Sequence, residues 1–240
     1  MKPRLEEILP PFPHAIRLSA DPDLKWKAIG AKDKTILALK DESFDLCIEE
    51  KVDGANVGIC LQDGHPKIRS KERMLRKGAV AKKPSKKQFS SIWNWFYKNE
   101  KMFHKLEDLI GPCSVYGEWM WMQHGMKYDL LPSWFIAFDI FCHRRRHFLS
   151  PVISRNALDE AGFSLTKRLD FMQRPEIYAD FVDLIEGDAE FASDGQREGI
   201  CIKLSKMDEV VHRFKMVKPD FVRGALFDDD KVLKNRLAPK

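Results

Sequence analysis

Several features are scarce in this chain of 240 residues. No stretch of about 18 consecutive apolar residues occurs, so hydropathy offers no membrane-spanning helix. The first residues, Met1 to Pro13, are charged and proline-rich and lack the apolar core of a secretion signal. Cysteine is sparse: Cys47, Cys60, Cys113, Cys142 and Cys201 are scattered, odd in number and never spaced as C-x-x-C. That pattern speaks against a zinc site and a disulfide framework, and fits a reducing cytoplasm. There is no internal repeat and no domain-sized linker. The segment beyond Gly224 runs through Asp228, Asp229 and Asp230 into a basic stretch ending at Lys240. It is too short for a second domain. The expected organisation is one domain over residues 1–224 and a C-terminal tail over 225–240.

Hydrophobic residues make up 44% and charged residues 32%, an ordinary globular balance that can bury a real core. The net charge of +5 matters less than its distribution. Between Lys67 and Lys87 lie ten Lys or Arg and one acid, Glu72. Such a run is either a solvated loop or a phosphate-binding surface that gains by displacing counterions from nucleic acid. The run His143-Arg144-Arg145-Arg146-His147 admits the same two readings.

Residues 45–61 read as strand, turn, strand, and Asp63-Gly64 signals a hairpin into a strand over Pro66 to Ser70. Apolar residues from Ile92 to Ile110 recur at helical spacing until Gly111-Pro112 stops them. Their aromatics read as core packing before base stacking. Ser114 to Met122 and Trp134 to Cys142 read as strands. A helix follows Ser150-Pro151 to about Ala161, with serine as cap, proline first and Gly162 after the end. Pro175 to Glu186 reads as another helix, then Gly199 to Leu204 and Val211 to Val217 as strands. Strands dominate and helices do not alternate strictly with them, which predicts a mixed α+β class.

The chemistry centres on Lys51-Val52-Asp53-Gly54-Ala55-Asn56. By itself this is an exposed hairpin lysine near a glycine. To attack an α-phosphorus, its amine would have to be neutral, with a pKa depressed by burial or by neighbouring cations. The glycine would permit close backbone approach to a nucleotide. Four later segments belong with it: Tyr116-Gly117-Glu118; Phe138-Asp139; Glu198-Gly199 with Lys203 five residues after the acid; and Lys215-Met216-Val217-Lys218.

In this order the five segments resemble the covalent nucleotidyltransferase superfamily of DNA ligases, RNA ligases and mRNA capping enzymes. The resemblance runs from about Glu49 to Phe221. Asn56, five residues after the lysine, and the Tyr-Gly-Glu form around Glu118 are most similar to the RNA ligase 2-type group. The resemblance implies a nucleotidyltransferase (ATP-grasp-like ligase) fold with antiparallel sheets flanked by helices and no OB domain. It implies ATP and Mg2+ or Mn2+ as cofactors, RNA ends or a nicked duplex as partner, and no membrane association. It also implies roles. Lys51 would carry AMP. Glu50 would lie beside adenine, Asn56 in the nucleotide site, Arg69 at the ribose or 5′-phosphate strand, and Glu118 at a ribose hydroxyl. Phe138 would stack on adenine. Glu198 would place the metal, with Lys203 near the nucleotide, while Lys215 and Lys218 would neutralise phosphates.

Two points depart from that pattern. The last two lysines are three residues apart where relatives place them two apart. Arg69, Lys71 and Arg73 all fall on one face of an extended strand, and Arg69 is the preferred choice. The reaction implied is RNA repair by a cytoplasmic ligase, with a separate protein as one candidate to supply strand binding. Alternatives are a compact DNA ligase, a GTP-using capping-type enzyme and a non-catalytic nucleic-acid-binding protein on the same fold.

Overall fold

The alternation of side chains along residues 199–217 decides the architecture. Ile200, Ile202, Leu204, Phe214 and Met216 are buried in one apolar cluster, while Cys201, Lys203, Arg213 and Lys215 between them border an internal cavity. A strand with an apolar face and a polar face must be covered by core on one side and can line a site with the other. The computed structural model describes residues 3–21, 23, 34–78, 87–169, 178–221 and 233–239. Among them, two sheets carry the fold.

The four-stranded sheet has the order β1-β9-β8-β2, with β1 Ile16–Arg17, β9 Glu209–Val217, β8 Gly199–Lys206 and β2 Asp45–Lys51. The short β1 runs parallel to β9, and the other pairs are antiparallel. Its apolar side is covered in part by Tyr178, Phe181 and Val182 of a helix over Tyr178–Asp183. The helix expected over Pro175 to Glu186 thus appears from Tyr178; residues 175–177 lie outside the described residues.

The five-stranded sheet has the order β4-β3-β5-β6-β7, all antiparallel. Its strands are β3 Ala55–Gln62, β4 His65–Ser70, β5 Cys113–Trp119, β6 Phe135–Cys142 and β7 His147–Phe148. The helix Ile92–Ile110 buries Ile92, Trp95, Phe96, Phe103 and Leu106 against this sheet. The helix Pro151–Ala161 joins the same core, and Gly162 ends it in the left-handed region at φ 92°, where a glycine costs least. Neither sheet closes into a barrel, which agrees with the α+β expectation. Among the described residues no helix is long and apolar enough to cross a membrane.

Two pieces were not legible beforehand. Residues 4–18 contribute a one-turn helix, Leu5–Ile8, and β1. The segment 233–239 docks on the loop after β5. Asn235 is buried there; its amide donates to the carbonyls of Met120 (2.8 Å) and Met122 (3.2 Å), and its Oδ1 accepts from the Tyr128 N–H at 2.9 Å. Most of the expected tail, and the boundary at 224, lie outside the described residues.

Candidate active site

A cavity of about 340 Å³ opens between the polar side of the four-stranded sheet, the ends of β3 and β5, and Phe138 of β6. Eight of the ten residues expected to act together line it: Glu50, Lys51, Asn56, Glu118, Phe138, Glu198, Lys203 and Lys215. Arg69 and Lys218 do not.

Lys51 is the last residue of β2 and pairs with Gly199, which places it beside Glu198. Its Nζ donates to Glu198 Oε2 at 2.6 Å. Gly199 is obligatory on packing grounds, since a Cβ would run into the Met216 carbonyl of the neighbouring strand. The turn after Lys51 is fixed by Asp53. Its carboxylate accepts the Gly125 N–H at 2.6 Å, and its own N–H donates to the Tyr128 hydroxyl at 2.9 Å. Gly54 also lines the cavity. A Cβ there would lie 2.6 Å from Met120 Sδ and 2.9 Å from the Trp119 carbonyl, so packing against the end of β5 by itself requires glycine at this position.

The expected depression of the Lys51 pKa is not met in the ligand-free protein. Burial, the largest influence, pushes the ammonium down, but the Glu198 carboxylate leads the neighbouring groups that outweigh it, and the net shift is upward. Lys51 therefore rests as an ammonium held by Glu198. Glu118 lies opposite Asn56 on the adjacent strand, and its Oε2 is buried without a hydrogen-bond partner. Burial pushes its carboxyl up to about 8 against the pull of Lys51, leaving it mostly protonated near neutrality.

This has a measurable sign. The folded protein keeps the Glu118 proton up to about pH 8, whereas the unfolded chain loses it in the ordinary carboxylate range. The stability due to that proton is full at acid pH and is lost as pH rises through about 8. Glu118→Gln should flatten the melting temperature against pH between about pH 5 and 8 relative to the parent. Equal slopes in both proteins would contradict the buried, protonated carboxyl.

Phe138 reaches the cavity through an irregularity in β6. Tyr116 pairs with Asp139 and Gly117 with Ala137, so Phe138 is the extra residue of a bulge. Bulges re-aim side chains in this way. Asp139 beside it is fully buried and belongs to a charge network that the sequence reading missed. Lys203 Nζ lies 2.6 Å from Glu49, 2.9 Å from Asp139, and donates to the Phe138 carbonyl at 2.8 Å. Arg155 holds Glu49 at 2.7 Å and Arg213 holds Asp139 at 3.2 Å. The carboxylates of Asp139 and Glu49 hold the Lys203 ammonium above its ordinary pKa despite burial. The available signal was an acid in the middle of an apolar strand, Asp139, and the doubled acid Glu49-Glu50 at the end of another. Glu50 accepts the Glu190 N–H at 3.1–3.2 Å, and burial raises its pKa.

The two remaining candidates sit elsewhere. Arg69 is buried on β4 and donates to the Leu9 carbonyl at 2.9 Å. β4 ends at Ser70, so the alternation that would align Arg69, Lys71 and Arg73 stops there, and Lys71 is the one that lines the cavity. β9 ends at Val217, and Lys218 turns away to Glu186 at 2.9 Å and to the Gln196 amide oxygen. The three-residue spacing thus leaves Lys215 as the one of the pair in the cavity. In the basic run, residues 79–86 lie outside the described residues; Lys71, Arg73, Arg76 and Lys77 are exposed. In the 143–147 turn, Arg145 pairs with Asp208 and Arg146 lies 3.9 Å from Glu7.

Solved structures of the same shape include three of Naegleria gruberi RNA ligase. An apo variant aligns with a TM-score of 0.56 at 17% identity over 77% of this chain and 53% of that one. A variant with ATP and manganese gives 0.56 at 15% over 76% and 52%. The form with pyrophosphate gives 0.56 at 17% over 77% and 53%. The chain therefore spans about half the length of those proteins, and the likeness is one of fold. No curated protein matches by sequence. A family model described as RNA ligase matches residues 45–217, from the first residue of β2 to the last of β9. That span holds every residue lining the cavity except the four contributed by 12–15, and on it the chain belongs to the RNA ligase family.

Proposed function

We propose that the chain is the adenylyltransferase part of an ATP-dependent RNA ligase that joins 5′-phosphate and 3′-hydroxyl ends. The observation that carries this reading is the convergence of Lys51, Glu198, Glu118, Phe138 and Lys215 on one cavity, with Lys51 Nζ 2.6 Å from Glu198. The Lys51 amine, once its proton has left, attacks the α-phosphorus of ATP. A P–N bond forms, the bond to the bridging oxygen breaks, and pyrophosphate leaves. AMP then passes from Lys51 to a 5′-phosphate. A 3′-hydroxyl attacks the adenylated end, the phosphodiester forms and AMP departs.

Phe138 offers a face for adenine, and the unpartnered Glu118 Oε2 an acceptor for a ribose hydroxyl. Asn56 and Glu50 line the same side, and Lys71 and Lys215 bring positive charge to the phosphates. Nucleotidyl transfer depends chiefly on such positioning and charge neutralisation. The carboxylate of Glu198 is a hard oxygen donor that suits Mg2+ or Mn2+. The described residues hold no group of three His, Cys, Asp or Glu side chains able to bind a metal alone, so phosphate oxygens would complete the ligand set. When bound, the metal supplies charge to the departing pyrophosphate. The reading extends to RNA repair in a reducing cytoplasm, in keeping with five free cysteines. Strand engagement falls to the basic surface or to a separate protein partner.

The test is incubation with α-labelled ATP and, in parallel, α-labelled GTP, with magnesium or manganese, followed by sealing assays on nicked duplexes with RNA or DNA at the 3′-hydroxyl side. Covalent label from ATP and sealing at RNA 3′ ends are expected. Label from GTP alone would point to a capping-type enzyme. A folded protein that takes up neither would sink the reading.

A further inference from the structure

The N-terminal segment is tied to both sheets and crosses the cavity between them. Three successive carbonyls are held by side chains of the five-stranded sheet: Ile8 by the Ser114 hydroxyl, Leu9 by Arg69 at 2.9 Å, and Pro10 by the Tyr116 hydroxyl. The Leu9 side chain is fully buried against Gly58, where a Cβ would meet it at 3.0 Å. A few residues on, Ile16 and Arg17 pair with Phe214 and Lys215 in the other sheet. Between these anchors, residues 12–15 form part of the cavity wall. Pro10, Pro11 and Pro13 fix φ along the crossing and reduce the disorder that must be lost to hold it.

Phe12 is the chemically telling residue of this strap. Its ring lies 5.3 Å from that of Phe138, with 72° between the planes. The Arg213 guanidinium stands 5.2 Å from the Phe12 centroid. Two aromatic faces at a steep angle make a corner. A planar base lying on Phe138 would meet the Phe12 ring at a similarly steep angle, within the edge-to-face arrangements that aromatic rings favour.

We infer that the strap over residues 10–15 is the second wall of a base-binding corner for a purine nucleotide, with Phe12 meeting the base and Arg69 acting as a positioning residue through the Leu9 carbonyl. The inference rests on the nucleotidyltransferase reading of the cavity and adds to it a base contact from outside the family-matched span. It also gives Arg69 a task that needs no contact with the nucleotide.

Calorimetric titration with AMP and, separately, with inorganic tripolyphosphate tests this. Base–aromatic contacts removed by alanine weaken binding by roughly fivefold to a hundredfold. Phe12→Ala and Phe12→Leu should each weaken AMP about tenfold while leaving tripolyphosphate within about twofold. Leucine keeps the apolar bulk, so its failure to rescue identifies the ring. Arg69→Ala should repeat the AMP-selective loss, and Arg69→Lys, which keeps a donor, should recover part of it. Unchanged AMP binding in Phe12→Ala overturns the inference, as does an equal loss for both ligands, which would mean general disturbance. If the parent protein binds AMP and tripolyphosphate but the Phe12 variants behave like it, the strap inference alone fails. If the parent binds neither, the proposed function fails with it.

Discussion

Lys51→Ala protein, folded and supplied with α-labelled ATP and magnesium, will carry no covalent label. The expected fall is at least about a thousandfold, because the variant removes the bond-forming atom itself and not an auxiliary contact. Lys51→Arg should be as inactive, since a guanidinium stays protonated and presents no lone pair. The parent enzyme adds a diagnostic that an indirect role could not produce. Glu198 and Glu118 raise the Lys51 pKa, so at neutral pH only a small fraction of the amine is free. The adenylation rate should then climb about tenfold per pH unit through the mildly alkaline range. Glu198→Gln removes the partner 2.6 Å away and lets burial lower the Lys51 pKa. Its residual rate should be far lower, with the rise displaced to lower pH. Labelling of Lys51→Ala at the parental rate would end the assignment. A parental profile flat from about pH 6 to 9 would show that release of the lysine proton does not limit the step.

Lys203→Ala should be the most destabilising single change in the cavity wall. The side chain is buried and faces two buried carboxylates, Glu49 and Asp139, at 2.6 and 2.9 Å. Replacing a buried ion pair with apolar groups can be neutral, but deleting one member strands the other and costs about 3–5 kcal/mol. For a chain of this size that corresponds to a fall of roughly 6–20 °C in melting temperature. The pH dependence carries a sign. In the parent, the raised lysine pKa contributes stability that is complete below the ordinary lysine range and is lost as pH rises through the folded value. In the variant, acid protonates the stranded carboxylates. The gap between the two proteins should therefore be widest near neutrality and narrow toward acid. A variant that melts with the parent at pH 7 would show that Arg155 and Arg213 suffice.

What could be read from the chain beforehand, and what could not, divides along physical lines. The strands carrying Lys51, Glu118, Glu198 and Lys215 were legible because apolar residues alternate with the polar ones that line the cavity. Capping residues marked the helix Pro151–Ala161 as well. The bulge at Phe138 was not legible, because an extra residue in one strand exists only relative to its partner. The Glu49–Lys203–Asp139 network left only a hint in its acids on apolar strands, for a related reason: each member lies on a different strand, and its cost is bearable only when all meet. Arg69 and Lys71 could not be separated by alternation, since β4 stops between them. The raised pKa of Lys51 likewise depends on how near two acids from two sheets are brought.

The surroundings of Lys51 also have a chronology. Lys51 and Glu198 are 147 residues apart, and the strand bearing Lys51 finds its sheet neighbour in β8. The Asp53 turn leans on Tyr128, whose backbone is clasped by Asn235, 107 residues further on. During synthesis, β3, β4 and β5 can pair soon after they emerge, while β2 must wait for β8 and the Asp53 turn for residue 235. A nascent chain should therefore acquire the five-stranded sheet well before it can react with ATP, so that competence to form the adduct waits on synthesis through residue 235.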